Sequence, residues 1–257
     1  MKIGFIGLGS MSTAILKGLK NSGKFQMTNV YASARDYNKL VDTCHDLGIN
    51  PCHSNQECID AVDVIFLGVK PEDLGSLDIN LYNKAIVSMA AKTSFSRLLE
   101  LFGDRPIIRI MPNLNAAINA GTTAYALHDV NKDLEGHLKD LLDLLGNTWL
   151  LDESQFSGFI ALAGSAPALI YRFIDALASS VADEGIDKDT ALDIVSKTFI
   201  GSAQYLSSSN EDPQVLINRV ASKGGTTQEG LNVLDSYDFE TIIKDSAQAI
   251  IDKDKKG

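Results

Sequence analysis

Residues 3–19 place a short apolar run, a glycine-rich turn and a helical pattern in immediate succession. The run Ile3–Ile6 predicts a buried strand, and Gly7-Leu8-Gly9 ends it. Apolar and small residues then recur at helical spacing, at Met11, Ala14, Ile15, Gly18 and Leu19. A strand, a glycine turn and a helix in this order form the setting in which Gly-x-Gly-x-x-Gly binds a dinucleotide. A buried strand and turn without any ligand is the alternative interpretation.

The small residues of this turn have separate expected roles at a pyrophosphate. Gly7 would make the tight turn, and Gly9, which lacks a Cβ, would let the backbone approach the phosphates. The N–H groups of the first helical turn would face the anion, together with the positive end of the helix dipole. Ser12 stands at the third glycine position, where a small residue allows close packing of helix on strand.

Composition and charge argue against several classes of protein. The chain has 257 residues, which suits one large domain or two smaller ones with a core. A formal net charge of −10 argues against a general nucleic-acid or membrane-surface binder. The most apolar stretch, Phe159–Tyr171, is interrupted by small residues and a proline and falls short of the ~20 residues of a membrane span. No leader segment precedes the first strand, so we expect a cytoplasmic protein without a membrane partner.

The cysteines and histidines indicate neither disulfides nor a metal site. An odd number of cysteines without Cys-x-x-Cys spacing predicts reduced thiols. These cysteines are Cys44, Cys52 and Cys58. The histidines lack the close pairing of metal ligands, and they are His45, His53, His128 and His137. We therefore expect no metal.

The end of the second predicted strand, Asn29–Ser33, bears on the choice of cofactor. An NAD enzyme usually has an acid there, which holds the ribose 2′-hydroxyl. Here Ser33 and Arg35 stand at this end, and a hydroxyl and a guanidinium favour the 2′-phosphate of NADP. Asp36 is expected to cap the following helix, Tyr37–Leu47. A solvated surface role for Arg35, and NAD as the cofactor, are the alternatives.

Strands alternate with helices up to about residue 150, which predicts one doubly wound domain with a parallel sheet. The further strands are predicted in Asp63–Val69, Ala85–Ala91, Pro106–Met111, Gly121–Ala126 and Asn147–Leu151. Ligands bind outside the carboxyl ends of such strands, so Val69-Lys70-Pro71 is expected to face the cofactor. Ser54 is expected to cap a short helix before this point.

From Glu153 onward the pattern is helical. Ala166–Glu184 is expected to form one long helix that is apolar over most of its circumference, so it must be buried nearly all round. It is either the central helix of its own domain or a surface that meets another subunit. Two further helices are predicted in Lys188–Leu206 and Pro213–Ala221.

The segment Ser222–Thr227 places two glycines and two threonines before another helix. It again offers backbone N–H groups at a helix N-terminus, now with two hydroxyls, and a small carboxylate is the fitting ligand. A helix–helix turn with a threonine cap is the alternative.

Five motifs in the family's order make the chain resemble the pyrroline-5-carboxylate reductases, which catalyse the last step of proline biosynthesis. The resemblance runs nearly the whole length of the chain. The motifs are Phe5-Ile6-Gly7-Leu8-Gly9-Ser10-Met11, Val69-Lys70-Pro71, Arg109-Ile110-Met111-Pro112-Asn113, Ala163-Gly164-Ser165-Ala166-Pro167-Ala168 and Ser222-Lys223-Gly224-Gly225-Thr226-Thr227.

The resemblance implies an α/β fold with an N-terminal Rossmann-type, doubly wound parallel sheet in residues 1–152. An all-helical domain for dimerisation and substrate binding, residues 153–257, would follow. The implied activity is the reduction of 1-pyrroline-5-carboxylate to L-proline with NADP as the preferred cofactor and NAD as the alternative. The implied assembly is a homodimer, which in this family often builds larger oligomers such as decamers.

The resemblance also assigns site residues. The pyrophosphate would be held by Gly7, Leu8, Gly9, Ser10, Met11 and Ser12. The 2′-phosphate would be held by Ser33 and Arg35, and the ribose and nicotinamide side would be lined by Asn55, Val69, Lys70 and Pro71. The substrate carboxylate would receive N–H groups from Gly224, Gly225 and Thr226, with Lys223 beside them. The hydroxyl of Thr227, the implied catalytic residue, would lie beside the ring nitrogen.

The chain departs from the family pattern most clearly at Lys223, where the family nearly always has proline. Two other functions stay open. A 3-hydroxyacid dehydrogenase also pairs such a domain with a helical one, but it uses a lysine that the segment Gly164–Asp175 lacks. A non-catalytic nucleotide-binding paralogue would keep the fold without turnover.

Overall fold

A computed structural model describes residues 1–256, whose contacts divide the chain into two compact units. The first unit contains residues 1–164 and the C-terminal segment from Ile250, and the second contains Ser165–Ala249. These units are defined by contacts alone, which say nothing about function. The domain boundary expected between residues 152 and 153 therefore stays a prediction.

The first unit is built on one eight-stranded sheet with the strand order β3-β2-β1-β4-β5-β6-β7-β8. The strands are β1 (Ile3–Ile6), β2 (Val30–Ser33), β3 (Asn50–Pro51), β4 (Val64–Leu67), β5 (Ala85–Ser88), β6 (Ile107–Met111), β7 (Gly121–His128) and β8 (Gly146–Leu150). The chain runs outward from β1 to β2 and β3, then returns to place β4 on the other side of β1. This reversal makes the crevice between the carboxyl ends of β1 and β4 the expected ligand position of the fold.

One pairing in the predicted parallel sheet is antiparallel, that of β6 with β7. The reason is the length of the link between these two strands. The link over residues 112–120 contains a 3₁₀ turn, Leu114–Ile118, and is shorter than the roughly dozen residues that a parallel crossover needs. All other neighbouring strands are parallel.

Two of the helices that flank the sheet begin at caps that the sequence predicts. The flanking helices are α1 (Ser10–Ser22), α2 (Tyr37–Leu47), α3 (Asn55–Ala61), α4 (Phe95–Phe102), α5 (Lys132–Asp143) and α6 (Phe156–Phe159). Asp36 accepts a hydrogen bond from the N–H of Lys39 at 3.1 Å, and Ser54 accepts one from the N–H of Glu57 at 3.1 Å. Both predicted caps are therefore confirmed, and the second one fixes the start of α3.

The core centres on β1 and β4. The rings of Phe5 and Phe66 stack with centroids 4.7 Å apart, and both side chains are fully buried. The two residues are register partners on neighbouring strands. Their stacking holds together the two strands whose carboxyl ends border the crevice.

The three cysteines are free and buried in the first unit. Burial, with a smaller contribution from nearby Cys52, raises the pKa of Cys44 to about 11. A hydrogen bond from Cys58 lowers the pKa of Cys52, and the same bond raises that of Cys58. Cys44 and Cys58 therefore stay protonated near neutral pH.

The rest of the described chain is helical. Its helices are α7 (Ala166–Ser179), α8 (Lys188–Ser209), α9 (Pro213–Val220), α10 (Thr226–Ser236) and α11 (Phe239–Lys255). No strand follows Glu153 in residues 1–256, as predicted. The predicted single helix Ala166–Glu184 is wrong at its end, because the backbone of Val181 leaves the helical region at φ −106° and ψ 14°.

The apolar side chains of α7 are largely exposed, with 38–59% of their area open to solvent. They are Leu169, Ile170, Tyr171, Phe173 and Leu177. Only Ala178 of this helix is buried. The interpretation as a central helix buried within its own domain is therefore wrong, and a cover supplied by another subunit remains.

A helical run from Glu153 to Glu184 is longer than the apolar stretch that the sequence singles out. It covers 32 residues, and its most apolar part has a mean hydropathy of 1.4. By length and composition alone it is the one helical run of residues 1–256 that suffices to cross a membrane, so the argument from shortness is wrong. The core helix of a soluble protein passes the same test, and the absence of a membrane partner stays a prediction.

A buried ion pair fastens the segment after β8 to the sheet. Arg109 on β6 is 6% exposed, and its Nη1 lies 2.5 Å from Oε1 of Glu153. The same oxygen accepts the N–H of Phe95 at 2.6 Å. The guanidinium carbon of Arg109 also lies 5.9 Å and 4.9 Å from the ring centroids of Phe95 and Phe156. Glu153 therefore satisfies two donors at once, one of them a buried charge.

Replacement of Glu153 by alanine tests this role. We expect Glu153→Ala to lower the free energy of unfolding by about 2–3 kcal/mol, because it leaves the charge of Arg109 buried without a partner. Glu100→Ala is the matched control, since Glu100 pairs with Arg97 on the exposed surface of α4 and should cost less than about 0.5 kcal/mol. Urea denaturation at one protein concentration measures both, and equal losses would contradict the assignment.

Candidate active site

The turn between β1 and α1 is held from both neighbouring strands. Gly7 has φ +95°, and a Cβ added to it would lie 3.0 Å from the carbonyl carbon and oxygen of Gly68. Its N–H donates to the carbonyl of Ser33 at the end of β2, at 2.9 Å. The N–H of Gly68, just after β4, donates to the carbonyl of Ile6 at 2.9 Å. The predicted tight turn at Gly7 is thus present, and it requires glycine both for its backbone angle and for space.

The N-terminus of α1 offers free backbone donors. Gly9 is its N-cap, and the first bond that closes the helix runs from the N–H of Thr13 to the carbonyl of Gly9 at 3.0 Å. The N–H groups of Ser10, Met11 and Ser12 precede this bond and so have no acceptor within the helix. The protein atom nearest to a Cβ added to Gly9 would be the Gly68 oxygen, at 3.8 Å. The space in front of this helix end is open to an anion.

Ser12 replaces the third glycine of the motif without opening the packing. Its side chain is 1% exposed, and its hydroxyl donates to the carbonyl of Gly7 at 2.9 Å. A Cβ added to Gly68 would lie 2.2 Å from this hydroxyl and 2.5 Å from the Gly7 oxygen. The hydroxyl of Ser12 therefore uses the room that the missing side chain of Gly68 leaves. Sequence reasoning missed Gly68, although a glycine at the end of an otherwise apolar strand was visible.

A cleft of about 480 Å³ opens beside this turn. Seven of the predicted cofactor residues line it, namely Gly7, Leu8, Gly9, Arg35, Asn55, Val69 and Lys70. Of the other predicted residues, Ser10 and Met11 stand at the start of α1, Ser12 and Ser33 are buried, and Pro71 opens an exposed 3₁₀ turn, Pro71–Ser76. The lining also includes residues that the sequence did not single out, among them Gly68, Asp73 and Ser76.

Ser33, the predicted contact of a 2′-phosphate, has a hydrogen-bond partner within the protein. It is 2% exposed, and its hydroxyl donates to Oδ1 of Asn55 at 2.8 Å. Its hydroxyl therefore points toward Asn55 at the end of β2. The hydroxyl orients Asn55, the first residue of α3, whose side chain lines the cleft.

Arg35 extends from the end of β2 into solvent, with 84% of its side chain exposed. Its guanidinium pairs with the carboxylate of Asp73, and both residues line the cleft. The cleft lining thus contains two cationic side chains, Arg35 and the exposed Lys70, and the acidic side chain of Asp73. This charge balance suits an anionic ligand.

The second unit contains the loop Ser222–Thr227. Gly224 has φ +74°, and the N–H of Gly225 donates to the carbonyl of Ser222 at 2.9 Å. Gly225 is also the N-cap of α10 and makes no side-chain cap bond, so the alternative of a threonine cap is wrong. The first bond within the helix runs from Gln228 to Gly225 at 3.1 Å. The N–H groups of Thr226 and Thr227 precede it, whereas the N–H of Gly225 is already used in the turn.

Thr227 lies at a groove of about 540 Å³ between α8, α9 and α10. The groove lining is mainly apolar and includes Tyr205, Leu206, Leu216, Ile217, Val220 and Leu231. Lys223 and Thr226 are exposed. The sequence did not predict this groove, because its residues come from three helices. The cleft lies wholly in the first unit and this loop wholly in the second.

No cluster of three or more histidine, cysteine or acidic side chains that could hold a metal occurs in the described part of the chain.

Sheet order, glycine turn and cleft together define a Rossmann-type dinucleotide-binding protein. Residues 153–257 match the family model for pyrroline-5-carboxylate reductase dimerisation, and residues 2–92 match the model for an NADP oxidoreductase, coenzyme F420-dependent. Pyrroline-5-carboxylate reductase 2 of Bacillus subtilis is 31% identical over 94% of this chain and 90% of its own length. The chain therefore belongs to the pyrroline-5-carboxylate reductase family, which confirms the resemblance found in its motifs.

Solved structures agree with this assignment. The 1-pyrroline-5-carboxylate reductase of Streptococcus pyogenes has a TM-score of 0.93 and 37% identity, over 100% of this chain and 99% of that one. A pyrroline carboxylate reductase of Plasmodium falciparum, solved with NADP bound, has a TM-score of 0.89 and 25% identity over 100% and 97% of the two chains.

A methyl group at Gly68 tests the packing behind the cleft. We expect Gly68→Ala to weaken NADPH binding at least about tenfold and to lower stability, because the added Cβ meets backbone and the Ser12 hydroxyl. Gly136→Ala is the matched control. Gly136 lies inside α5 with no atom within 4 Å of its added Cβ, so this change should stabilise by about 0.5–1 kcal/mol. Fluorescence titration and thermal unfolding measure the two effects, and an innocuous Gly68→Ala would contradict the packing argument.

Proposed function

We propose that this protein reduces 1-pyrroline-5-carboxylate to L-proline with NADPH, the last step of proline biosynthesis. The observation that carries the proposal is the pair of helix N-termini with free N–H groups, one at α1 beside the cleft and one at α10. The first suits a pyrophosphate and the second a small carboxylate. Their occurrence in a chain of this family supports a dinucleotide and an imino acid as the two ligands.

The residues at the cleft fit a dinucleotide because Gly7 and Gly68 leave a cradle that a Cβ would fill. In the proposed assignment the N–H groups of Ser10, Met11 and Ser12 bind the pyrophosphate, with Gly7, Leu8 and Gly9 shaping the turn. Arg35 binds the 2′-phosphate, while Ser33 acts through Asn55. Asn55, Val69, Lys70 and Pro71 border the ribose and nicotinamide. NADP found in the relative from Plasmodium falciparum supports NADP over NAD.

The bound cofactor would supply the hydride, and the protein would supply position and electrostatics. Gly224, Thr226 and Thr227 present N–H groups to the substrate carboxylate, and Gly225 shapes the turn. Lys223 adds positive charge beside them. The hydroxyl of Thr227 lies beside the ring nitrogen and serves as the catalytic group.

The substrate chemistry matches the residues available. Residues 153–257 contain no histidine. A protonated imine is already electrophilic, and its reduction to an amine needs no proton from a strong acid. Holding the two reactants at reacting distance then contributes the larger part of catalysis, on the order of several kcal/mol.

The proposal also assigns a role to each of two segments of the chain. Residues 1–152 form the dinucleotide-binding domain, and residues 153–257 form the dimerisation and substrate domain. The match of the second segment to a dimerisation model supports a homodimer, and the exposed apolar face of α7 gives it a surface to bury. Assembly into a decamer, a cytoplasmic location and the absence of a membrane partner belong to the same proposal.

One assay tests the activity. NADPH oxidation is followed with 1-pyrroline-5-carboxylate and, in parallel, with 2-methyl-3-oxopropanoate, and we expect turnover only with the first and proline as product. Turnover only with the second would indicate a 3-hydroxyacid dehydrogenase. Cofactor binding without any turnover would indicate a non-catalytic paralogue.

Thr227→Ala tests the proposed catalytic residue. We expect kcat to fall about tenfold, which is the effect of about one lost hydrogen bond, with the Kd for NADPH unchanged. Thr43→Ala is the matched control, because the hydroxyl of Thr43 donates to the Lys39 carbonyl within its own helix, α2. Steady-state kinetics of Thr227→Ala equal to those of the control would remove Thr227 from the site.

A further inference from the structure

The carboxylate of Asp73 forms an ion pair with Arg35, the cation proposed to bind the 2′-phosphate. Asp73 lies in the 3₁₀ turn after β4, and its side chain is 30% exposed. Its Oδ2 accepts a hydrogen bond from Nη2 of Arg35, which projects from the end of β2. Both side chains line the same cleft as the glycine turn. The pair therefore links the end of β2 to the turn after β4 at the lining of the cleft.

An arginine bound to a carboxylate has part of its hydrogen-bonding capacity in use. Guanidinium binds carboxylate and phosphate through the same planar set of donors. A phosphate that approaches Arg35 must share or displace the bond to Asp73, and it also meets the negative charge of Asp73. A ribose that carries only a 2′-hydroxyl leaves the ion pair intact.

We propose that Asp73 is a specificity-determining residue that lowers the preference for NADPH over NADH by competing with the 2′-phosphate for Arg35. The inference rests on the proposed function, because it takes the cleft to be the cofactor site. Asp73 acts through Arg35 and not on the reacting atoms. The pair is well exposed on the arginine side, so it opens at small cost and weakens as salt rises.

The geometry of the turn allows a clean removal of the carboxylate charge. The backbone of Asp73 is held independently of its carboxylate, since its N–H donates to the Lys70 carbonyl at 3.0 Å and its own carbonyl accepts the Ser76 hydroxyl at 2.8 Å. Asp73→Asn keeps the size of the side chain. Glu72→Gln removes one negative charge from the neighbouring position of the same turn, and Glu72 forms no ion pair in residues 1–256. It is the matched control.

The experiment measures the Kd values for NADPH and NADH by fluorescence titration of the full-length protein at low and high salt. We expect Asp73→Asn to raise the ratio of Kd for NADH to Kd for NADPH by about threefold or more at low salt. The gain should shrink at high salt, and Glu72→Gln should leave the ratio unchanged. A purely structural effect would weaken both cofactors together and would not depend on salt.

A protein that lacks the Arg35 guanidinium isolates the role of that residue. In Arg35→Gln, the further change Asp73→Asn should alter the ratio less than it does in the native background, because no guanidinium is left to release. Adenosine 2′,5′-bisphosphate and adenosine 5′-monophosphate serve as probes of the same effect without the nicotinamide. The first should bind more tightly to Asp73→Asn, and the second should bind as it does to the native protein.

The outcomes separate this inference from the proposed function. Equal effects of Asp73→Asn and Glu72→Gln, or a weaker affinity of Asp73→Asn for NADPH, would overturn the competition while leaving NADPH as the cofactor. A native protein that binds neither dinucleotide would contradict both.

Discussion

The contact between the Gly7 turn and the backbone of Gly68 is the constraint on which the first unit depends. Two strands that carry a stacked aromatic pair in the core end beside each other, and their carboxyl ends leave no room for a side chain at either glycine. The hydroxyl of Ser12 fills the remaining space and donates a hydrogen bond to the Gly7 carbonyl. Because the backbones approach so closely, the N-terminus of α1 faces open space and its N–H groups stay available. The cleft is a consequence of this packing.

The two candidate ligand sites share one feature, a helix N-terminus with free N–H groups, although different elements precede the two helices. In the first unit a strand and a glycine turn lead into α1, and in the second unit the end of α9 and a glycine turn lead into α10. In both, glycine adopts a positive φ and the first helical N–H groups lack partners within the helix. Backbone donors bind anions without titratable groups, which agrees with a reaction in which hydride transfer needs little acid–base chemistry. In the proposed assignment, charged side chains such as Arg35 and Lys70 then select among the anions.

Sequence reasoning succeeded where the cause is local and failed where it is not. The caps at Asp36 and Ser54, the turn at Gly7 and the alternation of strands and helices follow from neighbouring residues, and the structure confirms them. The antiparallel pairing of β6 and β7 depends on the length of a link, and the end of α7 depends on the backbone at Val181. The hydrogen bond of Ser33 to Asn55, 22 residues away, leaves no trace in the local pattern. Gly68 and Asp73 were missed for the same reason, since their partners come from distant segments of the chain.

Amide hydrogen exchange at single-residue resolution tests the central claim, that each helix N-terminus binds one of the two ligands. Saturating NADPH should slow exchange at Ser10, Met11 and Ser12, because their N–H groups gain an acceptor, and should leave the amides of Thr226 and Thr227 unchanged. Adding L-proline should then slow exchange at Thr226 and Thr227. Unchanged exchange at Ser10–Ser12 under saturating NADPH would contradict the claim.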